Sequence, residues 1–315
     1  MTIRVYTHVD CYGHQPGSGH PESPQRLAVV LETLKAPEFK ALEWREAPLG
    51  TRAQVEMIHE SDYVDIISEA APLHGLVPLD GGDTVMSSGT WSAVMRCVGA
   101  ACAAVDDVML GAARAVFCAT RPCGHHAEPD RAMGFCIFNQ AAIAAAHASR
   151  AYDLDRVLVV DFDVHHGNGT QAAFSPLRGM YYASCHQSPL YPGTGHPREH
   201  GAHHNILNVP LPPECPSAVF RKRITEQMLP VLREWAPQLI VISAGFDAHR
   251  DDPLATLNLD DDDFHWITEQ LTAIAGETAQ GRIVSILEGG YSPAGLSGGS
   301  AAHLRALMGR PQPAH

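Results

Sequence analysis

The stretch Arg156-Val157-Leu158-Val159-Val160-Asp161-Phe162-Asp163-Val164-His165-His166-Gly167-Asn168-Gly169 passes directly from a β-branched apolar run into carboxylates and imidazoles. A short apolar run bounded by turn residues reads as a strand buried on both faces, the kind found in a parallel sheet covered by helices. The polar tail would then lie beyond the strand's carboxyl end, where open α/β sheets carry their chemistry. Extended chain repeats every two residues, so a strand over 156–162 that keeps its pitch projects Asp161, Asp163 and His165 toward one side.

The same alternation recurs on both sides of this stretch. Strands are expected at 3–7, 115–119, 156–162, 180–183, 239–243 and 283–287, and helices around 25–34, 91–109, 139–149, 217–235 and 263–278. This predicts an α/β fold in one domain over 1–315, with a core of about 3–308 and a predominantly parallel central sheet flanked by helices on both faces. No internal repeat or low-complexity linker interrupts it. Polar motifs follow four of the strands: Arg121-Pro122-Cys123-Gly124-His125-His126-Ala127, the segment quoted above, Gly245-Phe246-Asp247-Ala248-His249, and Glu288-Gly289-Gly290-Tyr291. Four strand ends thus converge on one rim.

Asp163 and His165 could bind one ion together, and Asp247 from another strand end would complete a His/Asp/Asp set with an open fourth position, as a catalytic zinc requires. Two carboxylates and a neutral imidazole match a divalent cation, and the hard oxygens would also accept ferrous iron or cobalt. The plainer reading, that both aspartates merely cap helices, loses force because two histidine pairs accompany them. His125 and His126 follow an irregular Pro/Gly turn and could flank a metal-activated water, one of them accepting its proton and passing a proton to the leaving group. Asp161 and Asn168 flank the metal segment and would orient imidazoles; one charged and one neutral partner would push the two pKa values apart. Tyr291, after two glycines, could sit over the site and donate its hydroxyl to a developing oxyanion rather than fill the core.

The whole-chain balance narrows the substrate. Lys+Arg 22 against Asp+Glu 35 gives a net charge of −13, without a basic stripe, which argues against direct nucleic-acid binding and suits a cationic partner. The amino-terminal residues lack an export pattern and no apolar run approaches a membrane span, so a cytoplasmic protein away from the membrane is expected. The 8 cysteines contain no Cys-x-x-Cys and read as free thiols. The 19 histidines include the pairs His125-His126, His165-His166 and His203-His204.

With these residues assembled, the sequence resembles the histone deacetylase family, or arginase-deacetylase superfamily, from His20 to about residue 300. The resemblance rests on His20-Pro21-Glu22-x-Pro24-x-Arg26, Gly124-His125-His126-Ala127, Asp161-x-Asp163-x-His165-His166-Gly167, Pro192-Gly193-Thr194-Gly195, Gly245-Phe246-Asp247-Ala248 and Glu288-Gly289-Gly290-Tyr291. Asn168, Glu288 and the His-Pro-Glu segment resemble the class II and bacterial amidohydrolase branch. The resemblance implies zinc on Asp163, His165 and Asp247, His126 as general base and acid, His125 as electrostatic helper, Tyr291 on the acyl carbonyl, Asp161 paired with His125 and Asn168 with His126. It implies a structural potassium ion at Asp161, Asp163, His165, Ser184 and Cys185, and an acyl-lysine tunnel lined by Phe135 and Tyr191. Gly134, Leu254 and Asp83 complete the expected substrate wall, although an aspartate at position 83 also reads as a turn residue.

The implied reaction is hydrolysis of an N-acyl amide on a lysine side chain or a small amine. Leu254 stands where eukaryotic polyamine deacetylases of the family carry a glutamate, which weakens the acetylpolyamine reading without removing it. Cys123 stands where the family often has proline, close to Cys136. A two-manganese ureohydrolase on the same fold would need further bridging carboxylates, yet Gly167 and His249 occupy the relevant positions. An acyl-lysine-binding module without catalysis would have lost a ligand, a histidine or the tyrosine, and all are present. The run Asp260-Asp261-Asp262-Asp263 reads as a helix start, with attraction of a cationic substrate as the lesser option. The resemblance also admits a homo-oligomer, since a dimer in this family can narrow the entrance.

Overall fold

The computed structural model describes residues 2–313. The main-sheet strands are β1 (Ile3–Thr7), β2 (Glu43–Glu46), β5 (Ala115–Cys118), β6 (Val157–Asp161), β7 (Met180–Gln187), β8 (Ile206–Leu211), β9 (Leu239–Ala244) and β10 (Ile283–Leu287), with β3 (Val77–Pro78) and β4 (Val85–Met86) as a separate antiparallel pair. The main sheet has eight strands in the order β2-β1-β5-β10-β9-β6-β7-β8, and all its neighbours run parallel. The four motif-bearing strands, β5, β10, β9 and β6, are therefore contiguous at the centre, with their carboxyl ends side by side.

Strand alternation divides the core in two. In β6, Leu158 and Val160 enter one apolar cluster and Val157 and Val159 the other, all four fully buried. Each such side chain contributes roughly 1.5–3 kcal/mol of transfer free energy. The first cluster is covered by α1 (Pro24–Thr33), α7 (Ser217–Arg223), α8 (Leu229–Trp235), α9 (Asp261–Thr278) and α10 (Pro293–Leu307). The second lies under α4 (Thr90–Met109), α5 (Gln140–Tyr152) and α6 (Asn168–Phe174). A satellite cluster joins α2 (Arg52–Val55) and α3 (Ser61–Ala70) to α4.

Several expected boundaries move. The helix expected over 217–235 is two helices joined by a π turn over Ile224–Met228, because Pro230 has no N–H to donate to the preceding turn. The strand expected at 180–183 continues to Gln187 and pairs with the unforeseen edge strand β8. The acidic run at 260–263 is a helix start: Asp260 and Asp263 form a reciprocal capping box at the head of α9, and Asp263 also pairs with Arg221. Among the described residues, no helix is long and apolar enough to cross a membrane.

Candidate active site

β6 stops at Asp161, one residue short of the expected strand, and the chain then turns. Asp161 Oδ1 accepts the Asp163 N–H at 3.1 Å, and Asp163 Oδ1 accepts the His165 N–H at 2.9 Å. Aspartate side chains compete in this way with regular backbone pairing. Consecutive aspartate turns, rather than strand alternation, therefore gather Asp161, Asp163 and His165.

Asp247, in the loop after β9, reaches the same point and accepts the Val164 N–H at 2.8 Å. His165 Nδ1 lies 3.1 Å from Asp163 Oδ1 and 3.2 Å from Asp247 Oδ2. Ligand atoms of Asp163, His165 and Asp247 all fall within 4.8 Å of one another, and all three residues are buried. Two glycines make this closeness feasible: a Cβ on Gly245 would stand 2.2 Å from Asp163 Oδ2, and one on Gly289 would stand 2.1 Å from Asp247 Oδ2.

The electrostatics of this trio suit a cation. Burial pulls His165 down, but Asp163 and Asp247 outweigh it and raise its pKa to about 10. Burial and the neighbouring Asp163 push Asp247 up to about 7, while Asp163 is held low because its histidine contacts overcome its burial. Two buried carboxylates beside one imidazole gather negative charge that a divalent ion would neutralise, and this donor set fits zinc.

The histidine pair hangs from β5 by a buried carboxylate. Glu288 Oε2 accepts the N–H groups of Gly124 at 2.7 Å and His125 at 3.2 Å, fixing the irregular turn. His125 Nδ1 lies 3.0 Å from Asp161 Oδ2, and His126 Nδ1 lies 2.8 Å from Asn168 Oδ1. Burial lowers His125, yet Asp163 and Asp161 prevail and hold its pKa well above the usual value. Burial, His125 and His165 hold His126 well below it. The charged and neutral partners thus accompany opposite shifts.

A cavity of about 240 Å³ opens above these groups, lined by Asp83, His126, Gly134, Phe135, His165, Leu190, Tyr191, Leu254 and Tyr291. All five residues expected on the substrate wall border it. Phe135 adopts φ 68°, a left-handed conformation that costs a bulky residue roughly 1–3 kcal/mol. Its N–H is held by Thr84 Oγ1 at 2.9 Å, and its ring stands 6.0 Å from that of Tyr291. The Tyr191 ring stands 5.1 Å from His126.

Four further residues support the site in ways their sequence positions did not reveal. Asp252 Oδ2 accepts the N–H groups of Tyr291 at 2.7 Å and Ser292 at 3.1 Å, while its Oδ1 accepts the Leu254 N–H at 3.0 Å. The Asp-Pro pair at 252–253 was the available signal. Arg26 donates to Gly290 O at 2.6 Å and to Glu288 O, with its guanidinium 4.9 Å from the centre of the Tyr291 ring. Arg121 is fully buried against Glu22, and Leu190 adds an apolar wall.

Ser184 faces Asp161 across the β6–β7 register, and the Cys185 thiol lies 3.8 Å from Asp161 O, so the residues expected around potassium are neighbours. His249 lies 3.6 Å from Asp251 and 3.7 Å from Asp261.

Residues 20–307 match the family described as Histone deacetylase domain. The chain is 35% identical to Histone deacetylase 14, chloroplastic, of Arabidopsis thaliana, over 97% of this chain and 76% of the relative. It is also 35% identical to the Histone deacetylase-like amidohydrolase of Pseudomonas aeruginosa, over 88% and 74% of the two chains. A Probable deacetylase of Archaeoglobus fulgidus is 32% identical over 94% and 83%. The crystal structure of the HDA15 HD domain superposes with a TM-score of 0.90 at 30% identity, covering 98% of this chain and 88% of that one.

Proposed function

The chain belongs to the histone deacetylase family, and we propose that it is a zinc-dependent hydrolase of linear N-acyl amides, removing acetyl or similar groups from lysine side chains or small amines. Asp163, His165 and Asp247 would hold the ion, which when bound supplies Lewis-acid polarisation of the acyl carbonyl and acidifies a water. His126 is the general base: its Nδ1 faces the Asn168 carbonyl oxygen, which leaves Nε2 free to take a proton from the attacking water and return it to the departing amine. His125, held by Asp161, supplies positive charge beside the developing oxyanion, and the Tyr291 hydroxyl donates to that oxygen. Phe135, Tyr191, Leu190 and Leu254 give the cavity apolar walls suited to a slender aliphatic chain, with Asp83 at its border to hold a substrate amide.

The observation that carries this reading is the meeting, in one cavity, of a neutral histidine with a fixed tautomer and a buried carboxylate-imidazole trio. The hard oxygens also suit ferrous iron or cobalt, so metal analysis belongs with the assay. A potassium ion at Asp161, Asp163, His165, Ser184 and Cys185 and a cytoplasmic location complete the proposal. An acetylpolyamine remains the second substrate reading, supported by the net charge of −13. Acetate release from an acetyl-lysine peptide and from acetylputrescine, measured with wild type and Tyr291→Phe, tests the function. A zinc-loaded wild type that cleaves neither amide would instead favour the acyl-lysine-binding module.

A further inference from the structure

We propose that Cys123 and Cys136 are a modification site, a buried dithiol that closes to a disulfide under hydrogen peroxide and thereby slows the adjoining site. The two Sγ atoms lie 3.5 Å apart, and the residues are 2% and 0% exposed. They share one small cluster with Ala127, against which Phe135 packs. Glu288 places a carboxylate oxygen within 4.8 Å of both thiols, and that same carboxylate holds the Gly124 and His125 N–H groups.

The chain positions explain the expected effect. Cys123 begins the turn that carries His125 and His126, whereas Cys136 follows Gly134 and Phe135 in the cavity wall. The two segments already touch: a Cβ on Gly134 would stand 2.5 Å from His126 Cδ2. A sulfur–sulfur bond of about 2.0 Å would bring the two sulfurs more than one ångström closer and tie the histidine turn covalently to the cavity wall. Misplacement on that scale costs a catalytic group roughly 10²-fold in rate. Only this rate effect rests on the hydrolase reading; the crosslink itself does not.

The chemistry balances with peroxide as the two-electron oxidant. One sulfur, as thiolate, attacks a peroxide oxygen; the O–O bond breaks, giving a sulfenic acid and, after protonation, water. The second sulfur attacks the sulfenic sulfur, the S–S bond forms, and the S–O bond breaks. The departing hydroxide takes the second thiol proton as another water. A dithiol reductant reverses the change.

The test treats zinc-loaded protein with hydrogen peroxide, blocks remaining thiols, and maps the cysteines by mass spectrometry alongside acetate release. The expected result is a Cys123–Cys136 linkage with at least a tenfold loss of rate that dithiothreitol restores, both absent in Cys123→Ala. Cys136→Ser provides an independent variant should Cys123→Ala fold poorly. Recovery of both thiols unlinked, a linkage between other cysteines instead, or an equal reversible loss in Cys123→Ala would overturn the proposal. Reduced wild type that lacks activity would count against the hydrolase reading alone, because the linkage is still read by mass.

Discussion

His126 Nδ1 stands 2.8 Å from Asn168 Oδ1, while the amide nitrogen of the same Asn168 donates to Glu128 Oε1 at 2.7 Å. A carboxylate can only accept, so the Asn168 oxygen must face the histidine and the imidazole proton sits on Nδ1. The other nitrogen is left as a base.

Asn168→Asp tests the neutrality of this partner. An anionic neighbour favours imidazolium and raises the His126 pKa, which burial, His125 and His165 hold below its usual value of about 6.5. The acid limb of kcat/KM should therefore move to higher pH in the variant, with kcat reduced about 10–100-fold at neutral pH. A pH–rate profile unchanged from wild type would contradict the role.

Tyr291→Phe removes a hydroxyl that works only as charge develops on the acyl oxygen. The loss should fall on kcat, by about 10²–10³-fold, with KM and zinc content nearly unchanged. Steady-state kinetics together with metal analysis checks this.

Asp252→Ala leaves the Tyr291 and Ser292 N–H groups without their acceptor, at about 1–3 kcal/mol for each that stays unpaired. The tyrosine loop should loosen, so kcat falls while zinc content holds. Asp252→Asn retains one oxygen acceptor and should recover part of the loss.

The Glu22 carboxylate ties the amino-terminal segment to the site loops through Arg121, His14 and Arg26. Burial pushes its pKa up, but Arg121, His14 and Arg26 together hold it well below the usual carboxylate range. A folded-state pKa below the unfolded one adds stability that is present above about pH 4.3 and declines as pH falls toward the folded value. Glu22→Gln should cost about 3–5 kcal/mol at neutral pH, because it leaves buried guanidinium charge uncompensated, and should flatten the acid side of the stability curve. Denaturant unfolding between pH 3 and pH 7, on the order of one unit apart, reads both effects.

The central strands and their motifs were legible because burial on both faces writes itself as unbroken apolar runs such as Val157–Val160. The two edge strands were not. β2 reads Glu-Trp-Arg-Glu and is largely exposed, and β8 contains Pro210, which only an edge strand tolerates. α10 hid behind Gly295, Gly298 and Gly299, residues that disfavour an isolated helix but allow close packing: a Cβ on Gly299 would lie 2.7 Å from the Phe246 ring. At the site, residue types mark the ion and histidine positions, but strand alternation alone does not bring the ion ligands together. Asp163 and His165 converge through aspartate turns past the end of β6, a tertiary fact that strand period does not carry. The anchoring role of the fully buried Arg121 was hidden for the same reason, since its partners come from residues 11–22.

Metal removal bears on stability as well as activity. Without an ion, Asp163 and Asp247 share a buried site in which Asp247 is pushed up to about 7. Chelation should lower the thermal midpoint, and zinc should restore it in a concentration-dependent way. A midpoint indifferent to zinc would show that the trio does not bind it.

The most direct test of the account is the initial rate of acetate release from an acetyl-lysine peptide and from acetylputrescine, by zinc-loaded wild type and His126→Ala side by side. The account predicts release from at least one amide by the wild type and a fall of about 10²–10⁴-fold in the variant, which still binds zinc. Equal rates in the two proteins, or no release from either amide by zinc-loaded wild type, would contradict it.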